Sequence, residues 1–222
     1  MIKKLKRSKR RSMNFYPLYK VLTKPFYQGI FIKTITGKKN IPKNGPLIVA
    51  SNHQSHLDPL AVIMSVRRPI RFIVAAAIYK NWFLNIILRS SRQIRFDRKS
   101  SESKEQMNKE IEKTMQNEEV LGIFPEGIRT PRDELAKAYP GVGRFAVKHK
   151  VAVVPVGIKG SYETWPKHKR FPHFRKQVEV FIGKPMNVHE MPEVVQSANP
   201  EEEATRQVMK TIGKLIDQEY KY

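Results

Sequence analysis

Apolar positions along the chain fall into two kinds of run. The short unbroken ones, at residues 47–50, 120–124 and 151–158, have the length and β-branched content of strands covered on both faces. The longer ones repeat an apolar residue every three or four positions, as helices do. Residues 101–117 carry Met107, Ile111 and Met115 among charged neighbours. After Asn199-Pro200 and the acidic Glu201, Glu202 and Glu203, the stripe Ala204, Val208, Ile212, Leu215 predicts a last helix, its acidic start complementing the helix dipole. Between these, residues 60–66 predict a helix closed by Arg67-Arg68-Pro69, 70–77 a strand, 81–89 a helix, 93–96 a strand, 141–150 a helix and 178–182 a final strand. Residues 37–46 and 161–176 read as loops, the second aromatic and basic. The alternation predicts an α/β fold: a single domain with a largely parallel mixed sheet flanked by helices. Pro155 cannot donate to a ladder, so its strand is expected to lie at an edge or to carry an irregularity.

The first part of the chain has a different pattern. Phe15, Leu18, Tyr19, Leu22 and Phe26 recur at helical spacing with Lys20 and Lys24 between them and Pro17 and Pro25 interrupting. This predicts one or two short amphipathic helices, whose apolar side either lies in a lipid interface or caps the core. Before them, residues 1–12 form a basic run. Charge supports a negative partner: 42 Lys and Arg against 20 Asp and Glu give a formal +22, and the first carboxylate of the chain is Asp58. An anionic membrane surface, a nucleic acid or an acidic protein would each satisfy it. No uninterrupted apolar stretch is long enough to predict a transmembrane helix, and residues 1–11 lack the form of a secretory signal. The absence of cysteine excludes disulfides and thiolate metal sites.

Candidate chemistry gathers where strands are predicted to end, the usual place for a site in an open α/β sheet. The first strand runs into Ser51-Asn52-His53-Gln54-Ser55-His56-Leu57-Asp58-Pro59. Asp58 reads as a helix N-cap with Pro59 at the first helical position. A turn can also bring Asp58 to His53, where a carboxylate on one ring nitrogen leaves the other as a general base. His56 raises a metal reading, but the remaining histidines are isolated, and no metal is expected. No G-x-S-x-G elbow points to a serine hydrolase. Glu126 follows the strand at 120–124 and Arg98 follows that at 93–96, which places three polar groups on one rim. With Gly127 and Arg129 they could bind a polyol phosphate, the carboxylate accepting from hydroxyls and the arginines gripping phosphate.

Taken in order, these segments resemble the glycerolipid acyltransferase superfamily, most closely the bacterial 1-acyl-glycerol-3-phosphate acyltransferases. The first block of that family, N-H-x-S-x-x-D, stands here as Asn52 to Asp58; the second ends in Phe96-Asp97-Arg98; the third, F-P-E-G-x-R, is Phe124 to Arg129; the fourth is Val153-Val154-Pro155-Val156. The resemblance implies that His53, oriented by Asp58, deprotonates the hydroxyl of a lysophospholipid acceptor as it attacks an acyl thioester. Arg98, Glu126, Gly127 and Arg129 would hold the glycerol phosphate, with Asn52, Ser55, Phe124, Pro125 and Pro155 in support and the Pro155 strand walling the site near the donor. The donor would be acyl-CoA or acyl-ACP, with no cofactor. It also implies a peripheral protein on the cytoplasmic face of a membrane, residues 1–36 docking on the anionic surface and residues 37–222 forming the acyltransferase domain. No nucleic acid is expected, since nucleic-acid binding gives the His53, Glu126 and Arg98 rim no purpose. Two departures bear on the acceptor: Ile128 replaces a threonine, and Ala138-Tyr139-Pro140-Gly141 stands where many members carry F-K-x-G, although Lys137 and Arg144 lie close in sequence.

Overall fold

A computed structural model describes residues 16–222; the basic run at 1–12 and Phe15 lie outside the described residues. The strands are β1 (Ile32–Thr36), β2 (Leu47–Ser51), β3 (Ile70–Ala75), β4 (Ile94–Phe96), β5 (Val120–Ile123), β6 (Val153–Lys159) and β7 (Val178–Ile182). The helices are α1 (Tyr16–Ile30), α2 (Asp58–Ser65), α3 (Trp82–Ser90), α4 (Ser101–Gln116), α5 (Gly141–His149), α6 (Ser161–Thr164), α7 (Pro192–Val195) and α8 (Pro200–Leu215). One seven-stranded sheet results, in the order β1-β7-β6-β2-β5-β3-β4. Every neighbouring pair is parallel except β6 with β7, which is antiparallel.

Alternation along the central strand shows how the core is divided. Ile48 and Ala50 of β2 face a cluster with Ile111 of α4, Phe145 of α5 and Val208 and Ile212 of α8. Leu47 and Val49 face the other layer, with Tyr27 of α1 and Ala61 and Val62 of α2. All five residues of β2 are buried, which is why such strands read as continuous apolar runs rather than alternating ones.

One expectation changes, and another is decided between its two alternatives. The sequence boundary after residue 36 leaves Ile32–Thr36 outside the sheet, whereas these residues form its edge strand, paired with β7. Their I-K-T-I-T pattern is half exposed, as suits an edge, and lacks the apolar run that marks a covered strand. The Pro155 strand is central, between β2 and β7, and carries its irregularity there. Val153 pairs with Met186 and Val156 with Ile182, so the facing chain bows away opposite the missing donor. The Pro155 carbonyl still accepts from Gly183 N at 2.9 Å, and a Cβ on Gly183 would stand 2.7 Å from the proline ring. Pro155 is therefore buried inside the sheet beside α8 rather than placed at the rim as a wall of the site.

Helix α1 is one continuous helix with Pro25 inside it. Tyr16 and Tyr27 are buried, with Phe31 just beyond the helix end, while Leu18, Val21, Leu22 and Phe26 are each more than half exposed. Apolar residues thus occupy both sides, one on the core and one outward.

Candidate active site

The turn between β2 and α2 is fixed from several directions. Asn52, fully buried, replaces a ladder residue with its side chain, donating to the Ile158 carbonyl and accepting from Ile158 N, both at 2.8 Å. Such bonds contribute about 1 kcal/mol each, and one left unmade in the interior costs more. At the next residue the backbone is clamped: His53 N donates to Glu126 Oε1 at 2.8 Å, and the His53 carbonyl accepts from Thr130 N at 2.9 Å. Tyr27 of α1 donates to the Leu57 carbonyl at 2.7 Å.

Asp58 is not an N-cap. Leu57 holds that place in helical conformation with no side-chain cap bond, and Asp58 begins the helix itself. Its carboxylate turns back over the preceding loop. Oδ2 accepts from Gln54 N at 2.7 Å and Ser55 N at 2.6 Å, and stands 3.0 Å from His53 Nδ1. The carboxylate is wholly buried and the imidazole 17% exposed. Because an ionised carboxylate only accepts, Nδ1 carries the hydrogen and the Nε2 lone pair is left open. Among the described residues nothing bonds to Nε2.

The ring is held by stacking as well. His53 lies on Phe124 with centroids 4.2 Å apart, and Phe124 lies on Phe72 at 5.4 Å. Gly122 makes room for this column, since a Cβ there would meet the Phe72 ring at 2.5 Å.

Glu126 departs from its expected role. It is 1% exposed, and both oxygens are taken by backbone, Oε1 by His53 N and Oε2 by Ala136 N at 3.2 Å. Burial pushes its carboxyl up to about 8, and among the described residues no cationic side chain bonds to it. It positions His53 and shapes the following loop instead of meeting a ligand's hydroxyls.

Arg98 is exposed and reaches back from the end of β4. Its Nη1 donates to Tyr139 Oη at 2.8 Å, and the guanidinium lies 4.5 Å from the Tyr139 ring centre. Gly127 has φ +67°, and a Cβ there would press to 2.9 Å from Arg98 Nη2 and 3.1 Å from the Tyr139 ring. The conformation favours glycine, and a side chain there would displace the Arg98 guanidinium from its place beside Tyr139. Arg129 places Nη1 2.6 Å from His56 Nδ1. Arginine can only donate, so His56 serves as a neutral acceptor; burial and then Arg129 hold its pKa below the usual range. His56 also packs on Trp165 at 4.9 Å, and Ser55 donates to the Trp165 carbonyl at 2.7 Å. Pro125, buried, accepts from Tyr139 N at 2.9 Å.

The structure thus brings His53, Asp58, Glu126, Gly127, Arg98 and Arg129 to one end of the sheet, with Asn52, Ser55, Phe124 and Pro125 supporting them and Pro155 elsewhere. Thr130, Ala136 and Tyr27 escaped the sequence analysis because their contacts run through backbone atoms or come from a distant helix. Tyr139 had a signal, since it stands in the segment where a family cation is missing.

A family model described as Acyltransferase matches residues 33–159, more than half of the chain. A 1-acyl-sn-glycerol-3-phosphate acyltransferase of Borreliella burgdorferi is 27% identical over 169 residues, which is 76% of this chain and 65% of that protein. A chloroplastic enzyme of the same description from Arabidopsis thaliana is 25% identical over 177 residues, 79% of this chain and 46% of the other. The matched chain therefore spans just under two thirds of the first relative and under half of the second. The crystal structure of the 1-acyl-sn-glycerophosphate acyltransferase PlsC from Thermotoga maritima shares the fold, with a TM-score of 0.72 at 23% identity, covering 90% of this chain and 79% of that one.

Proposed function

The chain belongs to the Acyltransferase family, and from that premise we propose that it transfers an acyl group from an acyl thioester to the free hydroxyl of 1-acyl-glycerol 3-phosphate, giving phosphatidic acid. The observation that carries this reading is the His53 imidazole, with Nδ1 on buried Asp58 at 3.0 Å and Nε2 open. The acceptor hydroxyl gives its proton to Nε2 while its oxygen attacks the thioester carbonyl. The tetrahedral intermediate collapses, the carbon–sulfur bond breaks, and the thiolate leaves with the proton returned by the imidazolium. Asp58 keeps the ring in the required tautomer and stabilises its charged form. No covalent acyl-enzyme and no cofactor are needed. Arg98 and Arg129 hold the acceptor phosphate, and Gly127 allows it close to the backbone. The descriptions of the Borreliella and Arabidopsis relatives support the choice of acceptor.

The donor is acyl-CoA or acyl-ACP. The protein works peripherally on the cytoplasmic face of a membrane, with the outward side of α1 in the interface. Among the described residues no helix is long and apolar enough to cross a membrane. A second acceptor, glycerol 3-phosphate or another lysolipid, is favoured by one observation: Tyr139 occupies Arg98 where many members have a cation.

The test compares wild type and His53→Ala, matched by thermal melting, on lysophosphatidic acid, glycerol 3-phosphate and lysophosphatidylcholine with each donor. Turnover on lysophosphatidic acid should be highest in wild type and fall by about 10²- to 10⁴-fold in the variant. Undiminished turnover in the variant removes the general base, and preference for another acceptor removes lysophosphatidic acid from the reading.

A further inference from the structure

Beyond α1, a second segment has the chemistry of a lipid-facing surface. Residues 165–176 leave the short helix α6, which follows β6, at the end of the sheet where His53 stands. Phe171 and Phe174 are 69% and 70% exposed, an unfavourable placement in water for two large rings. Around them stand Lys167, Lys169, Arg170, Arg175 and Lys176, all exposed and none in an ion pair among the described residues. No carboxylate occurs between Glu163 and Glu179. The segment is tied to the turn that carries His53 by the Ser55–Pro166 bridge and by the Ser55 bond to Trp165. At its far end the Phe174 ring stacks on Phe31, just past α1, with centroids 5.9 Å apart.

We propose that residues 165–176 form a docking surface for an anionic lipid bilayer, adjoining α1 and independent of it: the two phenylalanines enter the interface and the cations lie among the head groups. Charge complementarity commits the occupant to a negative surface. The exposed rings, continuous with α1 through Phe31, favour lipid over an acidic protein, which the cations alone would equally attract. Resting on the acyltransferase reading, the consequence is that docking holds the rim at the surface from which a lysolipid enters. The docking itself can be measured without turnover, so its failure and the failure of that reading are separate results.

The chain has no cysteine, so Phe171→Cys gives a single attachment point for a polarity-sensitive dye. Phe171 is the place for it because its ring contact is with the neighbouring Arg170, and its loss leaves the fold intact. With the full chain and vesicles of phosphatidylcholine containing phosphatidylglycerol, the dye should shift to the blue and be quenched by lipid-borne quenchers; it should not respond to phosphatidylcholine alone. Phe171→Ser should weaken sedimentation with the anionic vesicles by about fivefold or more. Replacing Lys167, Lys169 and Arg170 with Gln should weaken it further and flatten its salt dependence. An unshifted dye on protein that sediments with vesicles overturns the proposal. So does a loop whose substitutions leave vesicle binding intact and instead abolish binding to acyl carrier protein.

Discussion

Both ends of the sheet bury charge, and they do it differently. Near the start of β3, Arg71 is 7% exposed with every guanidinium nitrogen engaged: Nε on the Arg92 carbonyl, Nη1 on Thr114 Oγ1 and Nη2 on Glu110 Oε2, each at 2.8 Å. Glu119 completes the set, 3.6 Å from Arg71 and 2.9 Å from Arg92. Positive and negative groups face one another, and each buried charge has an opposite charge within 4 Å, although Glu119 Oε2 makes no hydrogen bond among the described residues. At the opposite end Asp58 and Glu126 are buried, and among the described residues no cationic side chain is bonded to them unless His53 is protonated. Backbone amides and one imidazole compensate them, and among the described residues nothing bonds to Asp58 Oδ1 or to Nε2 of His53. A network of paired charges serves stability, whereas one with an unbonded imidazole nitrogen keeps the capacity to take a proton.

Substitutions at the two ends should therefore separate activity from stability. The largest effect is expected from Asp58→Asn, which keeps a side-chain acceptor for the loop amides but alters the imidazole's partner. Acyl transfer should fall by about 10²- to 10⁴-fold, while the melting temperature changes far less. Comparable losses of both would make Asp58 a structural group like Arg71. Next, Arg71→Met should lower unfolding free energy by about 3 kcal/mol, because it removes the buried cation shared by Glu110 and Glu119 and leaves them only the more exposed Lys113 and Arg92, with turnover per folded molecule unchanged; denaturant titration and active-site-normalised rates check this. For Glu126, whose folded pKa of about 8 lies above the ordinary 4.5, the folded protein binds the extra proton. Stability linked to this group is full below about 4.5 and declines as pH rises toward 8. Glu126→Gln should flatten that decline in melts taken from pH 4.5 to 8.5; an unchanged slope would show that the carboxyl titrates normally. The smallest effect on stability is expected from Gly127→Ala, a loss of about 1–2 kcal/mol from positive φ. Crowding of Arg98 should raise KM for the acceptor, which steady-state kinetics would detect.

Legibility in the sequence followed the physical signals available. Covered strands such as β2 and β5 announce themselves because burial on both faces demands continuous apolar residues. Strand β1 does not, since an edge strand with Lys33, Thr34 and Thr36 exposed resembles a loop. Pro155 predicted an edge or an irregularity because its missing donor is local knowledge; which of the two, decided by a bow in a chain segment some thirty residues later, is not. At the site, His53 and Asp58 could be paired because one turn joins them. Glu126 was placed correctly on the rim and given the wrong neighbours, because amides carry no residue identity by which a carboxylate's partner could be foreseen. Thr130 was missed for the same reason.

The antiparallel pairing of β6 with β7 has a consequence for where the chain enters the sheet. Since β1 runs with β7, it starts at the end of the sheet where β2 finishes. A five-residue strand spans roughly 16 Å, so with β1 reversed, α1 would arrive a full strand length away on the opposite side of the molecule. The turn of direction across one seam of the sheet thus spares the chain a return crossing. It brings Tyr27 and Phe31, at the end of α1, to the end of the sheet where His53 and the phenylalanines of residues 165–176 stand, while Lys20, earlier in the helix, bonds the Val66 carbonyl toward the opposite end.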